Sequence, residues 1–322
     1  MSEEVNRTWG YLVCPSCMGE LSAQGNDRFC VNCDESYSMF CGRPVMLTSD
    51  NSIFSPSSYV DKGPEDSEGK KSSSSLIGAI KRWLPPRSVN LSRSRLYQRI
   101  SGEIKDNPRI MVVGCGNQKD EVKSFFDKKK ATYVFTDIDH SSDCDVFCDG
   151  HHLPFRNDTF DLVLTTAVME HVMEPWIVSQ EIKRVTKTGG LIYSEVPFLQ
   201  GVHEGAYDFT RFTLGGHRAL YPDYDELDAG AVAGPGTALV WTLTAFIQSL
   251  LPCGKLAQAA NFSSRFLFSW IRLLDRWLIH RPIAQDFASC TYFYGVKREG
   301  ETHTPISIIE RYEGRKYSHF ND

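Results

Sequence analysis

A short apolar run that ends in two glycines constrains this chain more than any other feature. The stretch Arg109-Ile-Met-Val-Val-Gly-Cys-Gly-Asn117 reads as a buried strand followed by a turn at Gly114 and Gly116. Glycine lets a backbone approach a ligand closely, because it has no side chain in the way. A second apolar run, at residues 132–136, ends in the carboxylate of Asp137. In an open parallel sheet, such a turn cradles a nucleotide and such an acid binds the ribose hydroxyls.

Strand-like and helical segments alternate after residue 109, which predicts a parallel α/β sheet. The expected fold is doubly wound, mostly parallel and Rossmann-like. A helix is expected to begin at Pro175 and to end at Gly189, because proline favours the first turn of a helix and glycine its end. The predicted strands cover residues 110–113, 133–136, 145–148, 160–164, 191–196 and 289–296.

Length, net charge and apolar runs argue against several classes of protein. The chain has 322 residues, so about two domains of roughly 150 residues each are expected. Its net charge of -5 argues against a protein-wide field that attracts nucleic acid. The first residues are polar and acidic, and the longest apolar run, at residues 238–251, is too short to span a bilayer. We therefore expect a cytoplasmic protein with reduced thiols.

Four cysteines near the amino terminus form two C-x-x-C pairs. At this spacing, four thiolates can meet at one tetrahedral Zn²⁺ ion, and four protein ligands leave no position open for catalysis. A segment this short cannot build a core alone, so the metal is expected to supply folding energy. Two redox or disulfide pairs are the alternative. The expected zinc ligands are Cys14, Cys17, Cys30 and Cys33, whereas Cys41 lies beyond the second pair.

Residues 11–48 resemble a small zinc-ribbon family. The similarity lies in Leu12-Val-Cys-Pro-Ser-Cys17, in Cys30-Val-Asn-Cys33 and in Tyr37-Ser-Met-Phe-Cys-Gly-Arg-Pro-Val-Met-Leu47. Members of that family include the activator subunit of tRNA and release-factor methyltransferases. The resemblance implies a zinc-ribbon domain over residues 1–48 that serves as a scaffold or binds a protein partner.

A linker is expected over residues 49–88. Its first part is rich in Ser, Pro, Gly and acidic residues, which predicts a flexible chain. A short basic amphipathic helix is expected at residues 76–84, before Pro85. Such a helix can lie on a membrane surface or bind an acidic partner, and packing on the next domain is the simpler interpretation.

The ordered motifs of the large domain resemble a class I S-adenosylmethionine-dependent methyltransferase of the type-11 domain family. They are Gly114-Cys-Gly116, Asp137, Cys148-Asp-Gly-His-His-Leu-Pro-Phe155, Phe160-Asp-Leu-Val-Leu164 and Glu181-Ile-Lys-Arg-Val-Thr-Lys-Thr-Gly-Gly-Leu191. The resemblance spans residues 109–198. Asn117 stands where the family often has a third glycine, and Val112 stands where it usually has an acid. A nicotinamide-binding Rossmann domain is the main rival.

The resemblance implies a role for each matching residue. Gly114 and Gly116 would line the methionine and ribose side of S-adenosylmethionine, and Asp137 would accept hydrogen bonds from the ribose hydroxyls. The adenine amino group would bind Asp149, with Gly150 and His151 beside the ring. Near the reactive methyl group would lie Thr166 and Ala167. Taken singly, Asp137 and Asp149 also suit ordinary turns.

Transfer to a hydroxyl needs a base, and several side chains are candidates. Residues 203–213 resemble a His…Asp-Phe-x-Arg-Phe/Tyr-Thr segment of bacterial methyltransferases found near glycan-assembly enzymes. On that resemblance we nominate His203 as the base, with Asp208 and Arg211 orienting the acceptor or one another. A structural ion pair is the alternative. The further candidates are His171, Glu195 and Glu204.

The methyltransferase domain is expected over residues 89–298, with a helical insertion at 234–283 and a polar tail at 299–322. Helices are predicted at residues 238–251 and 262–281. The second carries arginines and aromatics at helical spacing, which suits a membrane interface, a cap or a dimer surface.

Three functions remain open at this point. The first is S-adenosylmethionine-dependent O-methylation of a small molecule, a glycan or a lipid-linked saccharide. The second is methylation of tRNA or protein, although the acidic net charge disfavours nucleic acid as a partner. The third is a non-catalytic scaffold that presents the zinc ribbon to a protein.

Overall fold

The computed structural model describes residues 10–25, 27–59, 88–252 and 254–314. Its amino-terminal part contains an antiparallel sheet in the order β1–β2–β3. The four predicted zinc ligands lie in the turns of this module and at the end of its second strand. These strands are β1 (Leu21–Gln24), β2 (Asp27–Cys30) and β3 (Ser36–Tyr37).

A second hairpin joins this module to the large sheet. It consists of β4 (Met39–Phe40) and β5 (Arg43–Met46), which pair antiparallel. Strand β5 also pairs in parallel with the strand at residues 146–148. Val45 and Met46 are buried in this contact. The amino-terminal module therefore extends the edge of the large sheet, a pairing that the sequence did not indicate.

In the rest of the described chain, helices or loops connect the strands, as expected. These elements are α1 (Arg93–Glu103), β6 (Arg109–Val113), α2 (Lys119–Phe126), β7 (Thr132–Asp137), β8 (Val146–Cys148), β9 (Phe160–Thr166), α3 (Pro175–Val185), β10 (Thr186–Pro197), α4 (Leu214–Ala219), β11 (Tyr224–Ala233), α5 (Pro235–Ser249), α6 (Lys255–Leu267), α7 (Asp275–Leu278), α8 (Ile283–Asp286), β12 (Cys290–Lys297) and α9 (Pro305–Glu310).

Within the described ranges, nine strands form one sheet in the order β11–β12–β10–β9–β6–β7–β8–β5–β4. The pairs from β5 to β10 are parallel, whereas β12 is antiparallel to both of its neighbours. The doubly wound, mostly parallel sheet is thus confirmed. The chain leaves β6 toward β7 and β8 and then returns to β9 on the other side of β6. This reversal creates a switch point, where ligands of such sheets bind.

The central strand shows why its sequence is a continuous apolar run. Met111 and Val113 belong to the core on one face of the sheet, and Ile110 and Val112 belong to the core on the other. Successive side chains of a strand point to opposite faces, so a strand that is covered on both faces has no polar side.

Two details of the predicted elements differ from the structure. Strand β11 was not predicted; it pairs with β12, and its residues are partly exposed over 225–229 and buried over 230–233. Helix α3 begins at Pro175 as predicted but ends at Val185, because β10 already begins at Thr186. The pairing of Thr186 with Phe160 is followed by a register shift before Leu191, and Gly189 lies in that irregular stretch at φ +73°.

The helical insertion follows β11. A single helix over residues 262–281 is a wrong prediction: α6 ends at Leu267, a 3-10 helix covers Ser269–Leu274, and α7 follows. The break places the carboxylate of Asp275 at the start of α5. There it accepts hydrogen bonds from the backbone N–H groups of Gly236 and Thr237, at 2.7 and 2.8 Å. This buried cap ties the two halves of the insertion together.

Part of the predicted linker and part of the predicted tail contact the body of the protein. Tyr59 is buried and stacks at a tilt on Phe147, and Arg218 donates a hydrogen bond to the backbone oxygen of Arg311. The predicted amphipathic helix at residues 76–84 lies outside the described residues. Among the helices of the described ranges, none has the length and apolar character that crossing a membrane requires.

Candidate functional site

The turn after β6 has the backbone shape that its glycines predict. Gly114 adopts φ +63° and Gly116 adopts φ +45°, both in the left-handed region. A Cβ atom on Gly114 would lie 2.4 Å from Cγ2 of Val168. Residue 114 must therefore be glycine for two reasons. Its backbone is left-handed, and the loop after β9 approaches it too closely for a side chain.

Asp137 stabilises this turn directly. One of its carboxylate oxygens accepts a hydrogen bond from the N–H of Gly116, at 2.8 Å, and the other accepts from Ile138 and Asp139, at 2.8 and 2.9 Å. A carboxylate has about four acceptor positions. Backbone donors occupy three of them, and the remaining position faces only the weak S–H donor of Cys115, whose sulfur lies 3.9 Å from Oδ2, so it can accept a stronger donor.

Asp149 follows β8 and lies at the same edge of the sheet. It is buried, and its Oδ1 atom faces the backbone N–H of His151 at 3.0 Å and Nδ1 of the same residue at 2.6 Å. This hydrogen bond raises the pKa of the His151 imidazole above its usual value. The other carboxylate oxygen of Asp149, Oδ2, accepts a hydrogen bond from Nδ2 of Asn51, at 2.8 Å.

The glycine turn, Asp137 and Asp149 meet at one cavity. Its volume is about 90 Å³, below the 300–1,000 Å³ of typical ligand pockets. Residues 53 and 54 form part of its wall, and the Phe54 ring stacks on Tyr207 at a centroid distance of 6.3 Å. The segment after the ribbon therefore covers the cavity. Its lining includes Ile53, Phe54, Gly114, Asp137, Asp149, Gly150, His151, Val168, His171, Met173, Tyr207 and Phe209.

Three of the predicted cofactor residues lie beside this cavity rather than in its wall. They are Gly116, Thr166 at the end of β9, and Ala167 directly after it. The Thr166 hydroxyl donates a hydrogen bond of 2.6 Å to Oε1 of Gln118 and is buried. Ala167 is exposed and adopts φ +57°, which is uncommon for a residue with a side chain. Strain of this kind clusters at functional sites.

Glu170 lies next to two histidines, one of which, His171, is part of the cavity wall. Nε2 of His171 and Nε2 of His203 are 3.1 Å apart, and they lie 3.6 and 3.9 Å from Oε1 of Glu170. Glu170 is fully buried, and neither of its carboxylate oxygens has a hydrogen-bond partner. Burial raises the pKa of Glu170 to about 8 and lowers that of His171.

Asp208 and Arg211 form an ion pair in the loop after β10. Nη2 of Arg211 lies 2.6 Å from Oδ2 of Asp208, and a second contact joins Nη1 to Oδ1. Arg211 lowers the pKa of the Asp208 carboxyl to about 2. Asp208 also accepts a hydrogen bond from the backbone N–H of His203, at 3.0 Å. The predicted catalytic side chains are thus brought together, with the ion pair holding the loop of His203.

Glu195, another candidate base, forms hydrogen bonds with residues outside the site. Arg93 and Asn90 both donate hydrogen bonds to its carboxylate, Arg93 at 2.8 and 2.5 Å, and so does the hydroxyl of Tyr193. The Glu195 carboxylate therefore has its acceptor positions filled by a buried network. It links α1 to β10 and does not take part in the site.

Two residues of the site, Asn51 and Glu170, were not predicted from the sequence. Asn51 was assigned to the linker, and an isolated asparagine in a polar segment carries no signal of a contact 98 residues away. Glu170 was not assigned any role from the sequence. The apolar neighbours Met169 and Val172 indicate that this part of the chain is buried. A glutamate in such a segment is a signal that could have identified the site, because acidic side chains are seldom fully buried unless they are paired.

The four amino-terminal cysteines lie close together. Their Sγ atoms are within 4.8 Å of one another, with 3.6 Å between Cys14 and Cys33 and 3.4 Å between Cys17 and Cys30. Ligands of a tetrahedral ion with Zn–S bonds of 2.3 Å lie about 3.8 Å apart. The spacing of the thiols therefore fits one ion, and the residues are free thiols rather than disulfides.

Residues 112–194 match the protein family described as a methyltransferase domain. The matched segment runs from β6 into β10, so it contains the glycine turn, Asp137 and Asp149. This match agrees with the class I methyltransferase resemblance of the motifs.

Curated relatives share the same kind of segment. The chain is 39% identical over 74 residues to an uncharacterized methyltransferase of Mycobacterium leprae. The matched segment covers 23% of this chain and 28% of that protein. The chain is also 39% identical over 74 residues to an uncharacterized methyltransferase of Mycobacterium tuberculosis, with 23% and 29% covered. The chain thus spans less than a third of the length of these curated relatives.

Solved structures to which the chain shows partial similarity include methyltransferases. Phosphoethanolamine N-methyltransferase 2 of Haemonchus contortus is 14% identical, with 65% of this chain and 53% of that chain covered and a TM-score of 0.42. A SAM-dependent methyltransferase of Aquifex aeolicus is 15% identical, with 48% and 91% covered and a TM-score of 0.35. Both scores are too low to establish a shared architecture over the whole chain.

Proposed function

We propose that this protein is an S-adenosylmethionine-dependent methyltransferase that methylates an oxygen of a small molecule, a glycan or a lipid-linked saccharide. One observation carries the proposal: Gly114, Asp137 and Asp149 meet at one cavity at the switch point of the sheet. These three residues lie within the segment that matches the methyltransferase domain.

The residues around the cavity suit the parts of this cofactor. The spare acceptor position of Asp137 would bind a ribose hydroxyl, and the Oδ2 atom of Asp149 would accept from the adenine amino group. Gly114 and Gly116 keep the turn free of side chains where the methionine part would lie, with Gly150 and His151 beside the adenine ring. Thr166 and Ala167 would lie nearest the acceptor.

The cofactor, when bound, supplies a methyl group on a sulfonium, which is already reactive. The protein must then hold the acceptor in line and exclude water. Phe54 and Tyr207 cover the cavity and would exclude water. Asp208 and Arg211 position the loop of His203, whose Nε2 atom lies 3.1 Å from Nε2 of His171, a residue of the cavity wall.

A second, larger cavity supports an acceptor with an apolar part. It has a volume of about 850 Å³ and lies between α5 and the loop that leads to His203. Its wall contains mainly apolar side chains, among them Phe198, Leu199, Val202 and Trp241, together with the buried Arg272. An apolar groove with a cationic side chain suits a lipid chain that carries a phosphate.

The cysteine cluster is proposed to bind one structural Zn²⁺ ion, with Cys14, Cys17, Cys30 and Cys33 as its ligands. The sulfur spacing supports this assignment, because it fits a tetrahedral ion. Four thiolates close the site, so the ion would stabilise the module and the strand β5 that follows it. The ribbon surface would then remain available to a protein partner.

Peripheral membrane contact is a further part of the proposal. Exposed apolar side chains follow one another through the insertion, namely Phe266, Trp270, Leu273 and Trp277. Aromatic residues of this kind can enter a membrane interface. Cosedimentation with vesicles of anionic phospholipid tests it: the wild type should bind, Trp270→Ser/Trp277→Ser should not, and absence of wild-type binding at low salt would reject it.

A scaffold without catalysis is the second candidate, and one contact favours it. Asn51 already donates to the Asp149 oxygen that adenine would need, and the cavity is small. The test is transfer of a labelled methyl group from S-adenosylmethionine to small-molecule, glycan and lipid-linked saccharide fractions. Transfer by the wild type that Asp149→Ala abolishes supports the enzyme, whereas absence of both transfer and cofactor binding supports the scaffold.

A further inference from the structure

Three potential metal ligands converge in the loop region between the two cavities. They are Oε1 of Glu170, Nε2 of His171 and Nε2 of His203, with mutual distances of 3.1, 3.6 and 3.9 Å. Glu170 and His171 follow β9, whereas His203 follows β10. Glu170 also fixes the second loop, because its backbone oxygen accepts hydrogen bonds from Phe209 and Thr210, at 2.8 and 3.3 Å.

The carboxylate of Glu170 is the first sign that a ligand belongs here. Its side chain is 0% exposed, and both of its oxygens lack a hydrogen-bond partner. A buried carboxyl group with no hydrogen-bond partner carries a free-energy cost, because burial has removed the water that would otherwise hydrogen-bond to it. A bound cation would offset this cost directly, and buried carboxylates in proteins are commonly paired or coordinate metals.

The two imidazoles point their lone pairs at the same place. Nδ1 of His171 faces the backbone oxygen of Tyr207 at 2.7 Å, and Nδ1 of His203 faces Oδ2 of Asp208 at 3.3 Å. Both acceptors assign the ring proton to Nδ1. The Nε2 atoms then carry lone pairs and lie opposite each other, which is repulsive unless a proton or a cation lies between them. Histidine ligands of metals have this arrangement, with an acceptor on the other ring nitrogen.

The distances suit one ion. Ligand atoms that are each about 2.1 Å from an ion, at tetrahedral or octahedral angles, lie roughly 3.0–3.4 Å apart. The observed separations of 3.1 to 3.9 Å reach this range with small side-chain movements. We propose that Glu170, His171 and His203 bind a divalent first-row transition-metal ion, with positions left open for oxygen ligands.

The location of this site suggests what the open coordination positions of the ion would bind. His171 lines the cofactor cavity, and the loop of His203 continues from residues 198–202, which line the larger cavity. An ion here would bind a hydroxyl oxygen of the acceptor and favour its deprotonated form. That role rests on the proposed function, whereas metal binding itself does not. It also revises the general-base role of His203, because a nitrogen that binds an ion cannot accept a proton.

The test counts metal ions in the full chain after loading with Zn²⁺ and removal of loosely bound metal. Elemental mass spectrometry should find about two ions per wild-type chain, one at the cysteines and one at the new site. Glu170→Gln and His203→Ala should each retain about one. His280→Ala removes an exposed histidine of the insertion and is the matched control, which should retain about two.

Loading with Co²⁺ separates loss of the site from loss of folding. Thiolates bound to Co²⁺ give an intense near-ultraviolet band, which the Glu170→Gln and His203→Ala variants should keep at full strength, together with the wild-type circular dichroism. A wild-type chain with only the cysteine-bound ion, or variants that still bind two ions, would overturn the proposal. Calorimetry of the Glu170→Gln and His203→Ala variants with S-adenosylhomocysteine reports the proposed function independently, because neither Glu170 nor His203 lines the cofactor cavity.

Discussion

Asn51 donates a hydrogen bond of 2.8 Å to the buried carboxylate of Asp149, across the cavity where the glycine turn and Asp137 meet. The two residues come from different parts of the chain, one just after the ribbon and the other after β8. Their contact closes the segment of residues 51–54 over the cavity. A ligand that uses the same oxygen of Asp149 must therefore displace Asn51.

We predict that Asn51→Ala binds S-adenosylhomocysteine more tightly than the wild type. A hydrogen bond to a charged group contributes about 1.5–3 kcal/mol, so removing the competitor should lower Kd by roughly tenfold or more. Isothermal titration calorimetry measures the change, and Ser52→Ala, at the exposed neighbour, is the control. Weaker binding by Asn51→Ala would mean that Asn51 contacts the ligand instead of competing with it.

Gly114→Ala should destabilise the protein more than Gly25→Ala. Both glycines adopt φ +63°, but an added Cβ would lie 2.4 Å from Val168 at residue 114 and would meet nothing within 4 Å at residue 25. The backbone cost is therefore matched, and the overpacking should add about 1–3 kcal/mol at residue 114. Urea unfolding measures both variants.

A second substitution tests the cause of that difference. Val168→Ala removes the methyl group that an alanine at residue 114 would meet, so Gly114→Ala/Val168→Ala should recover most of the added loss. If the double variant is as unstable as the sum of the two single variants, the clash does not explain the requirement for glycine.

His217 should make the folded protein sensitive to mild acid. It is fully buried between the hydroxyls of Ser194 and Thr291, at 2.9 and 3.1 Å, and burial lowers its pKa to about 3. The unfolded chain binds this proton near pH 6.5. Stability is therefore fully present above pH 6.5 and is lost as the pH falls from there toward 3, by about 1.4 kcal/mol per pH unit.

Urea unfolding between pH 7.5 and 5 measures this slope. His217→Gln, which can keep a hydrogen bond without titrating, should show a smaller loss of unfolding free energy over the same range. Equal slopes in the wild type and the variant would show that His217 does not carry the pH dependence.

Removal of the proposed zinc ion should loosen the edge of the large sheet. Strand β5 follows the cysteine cluster and pairs with β8, so melting of the ribbon would expose the backbone of residues 146–148. We expect faster hydrogen exchange there in Cys14→Ser than in Cys41→Ser, which changes an exposed thiol outside the cluster. Unchanged hydrogen exchange at β8 in Cys14→Ser would show that metal binding does not stabilise the pairing of β5 with β8.

The sequence was sufficient for the central strands and for the two acids at their ends. Apolar runs and glycines are local signals, and Asp137 and Asp149 each follow such a run. Pairing of β5 with β8 could not be read in the same way, because a four-residue apolar run fits a strand in either sheet. The contact between His203 and Glu170 was also not predictable, because the two residues lie in separate loops that come together only in the folded protein.

The most direct test of the methyltransferase proposal is calorimetric titration of S-adenosylhomocysteine into the wild type and into Asp137→Ala and Asp149→Ala. Ser141→Ala is the control, because Ser141 lies between these acids in the chain and is exposed. We predict binding by the wild type and the control and at least tenfold weaker binding by both aspartate variants. Absence of binding by the folded wild type, or unchanged affinity in both aspartate variants, would contradict the proposed cofactor site.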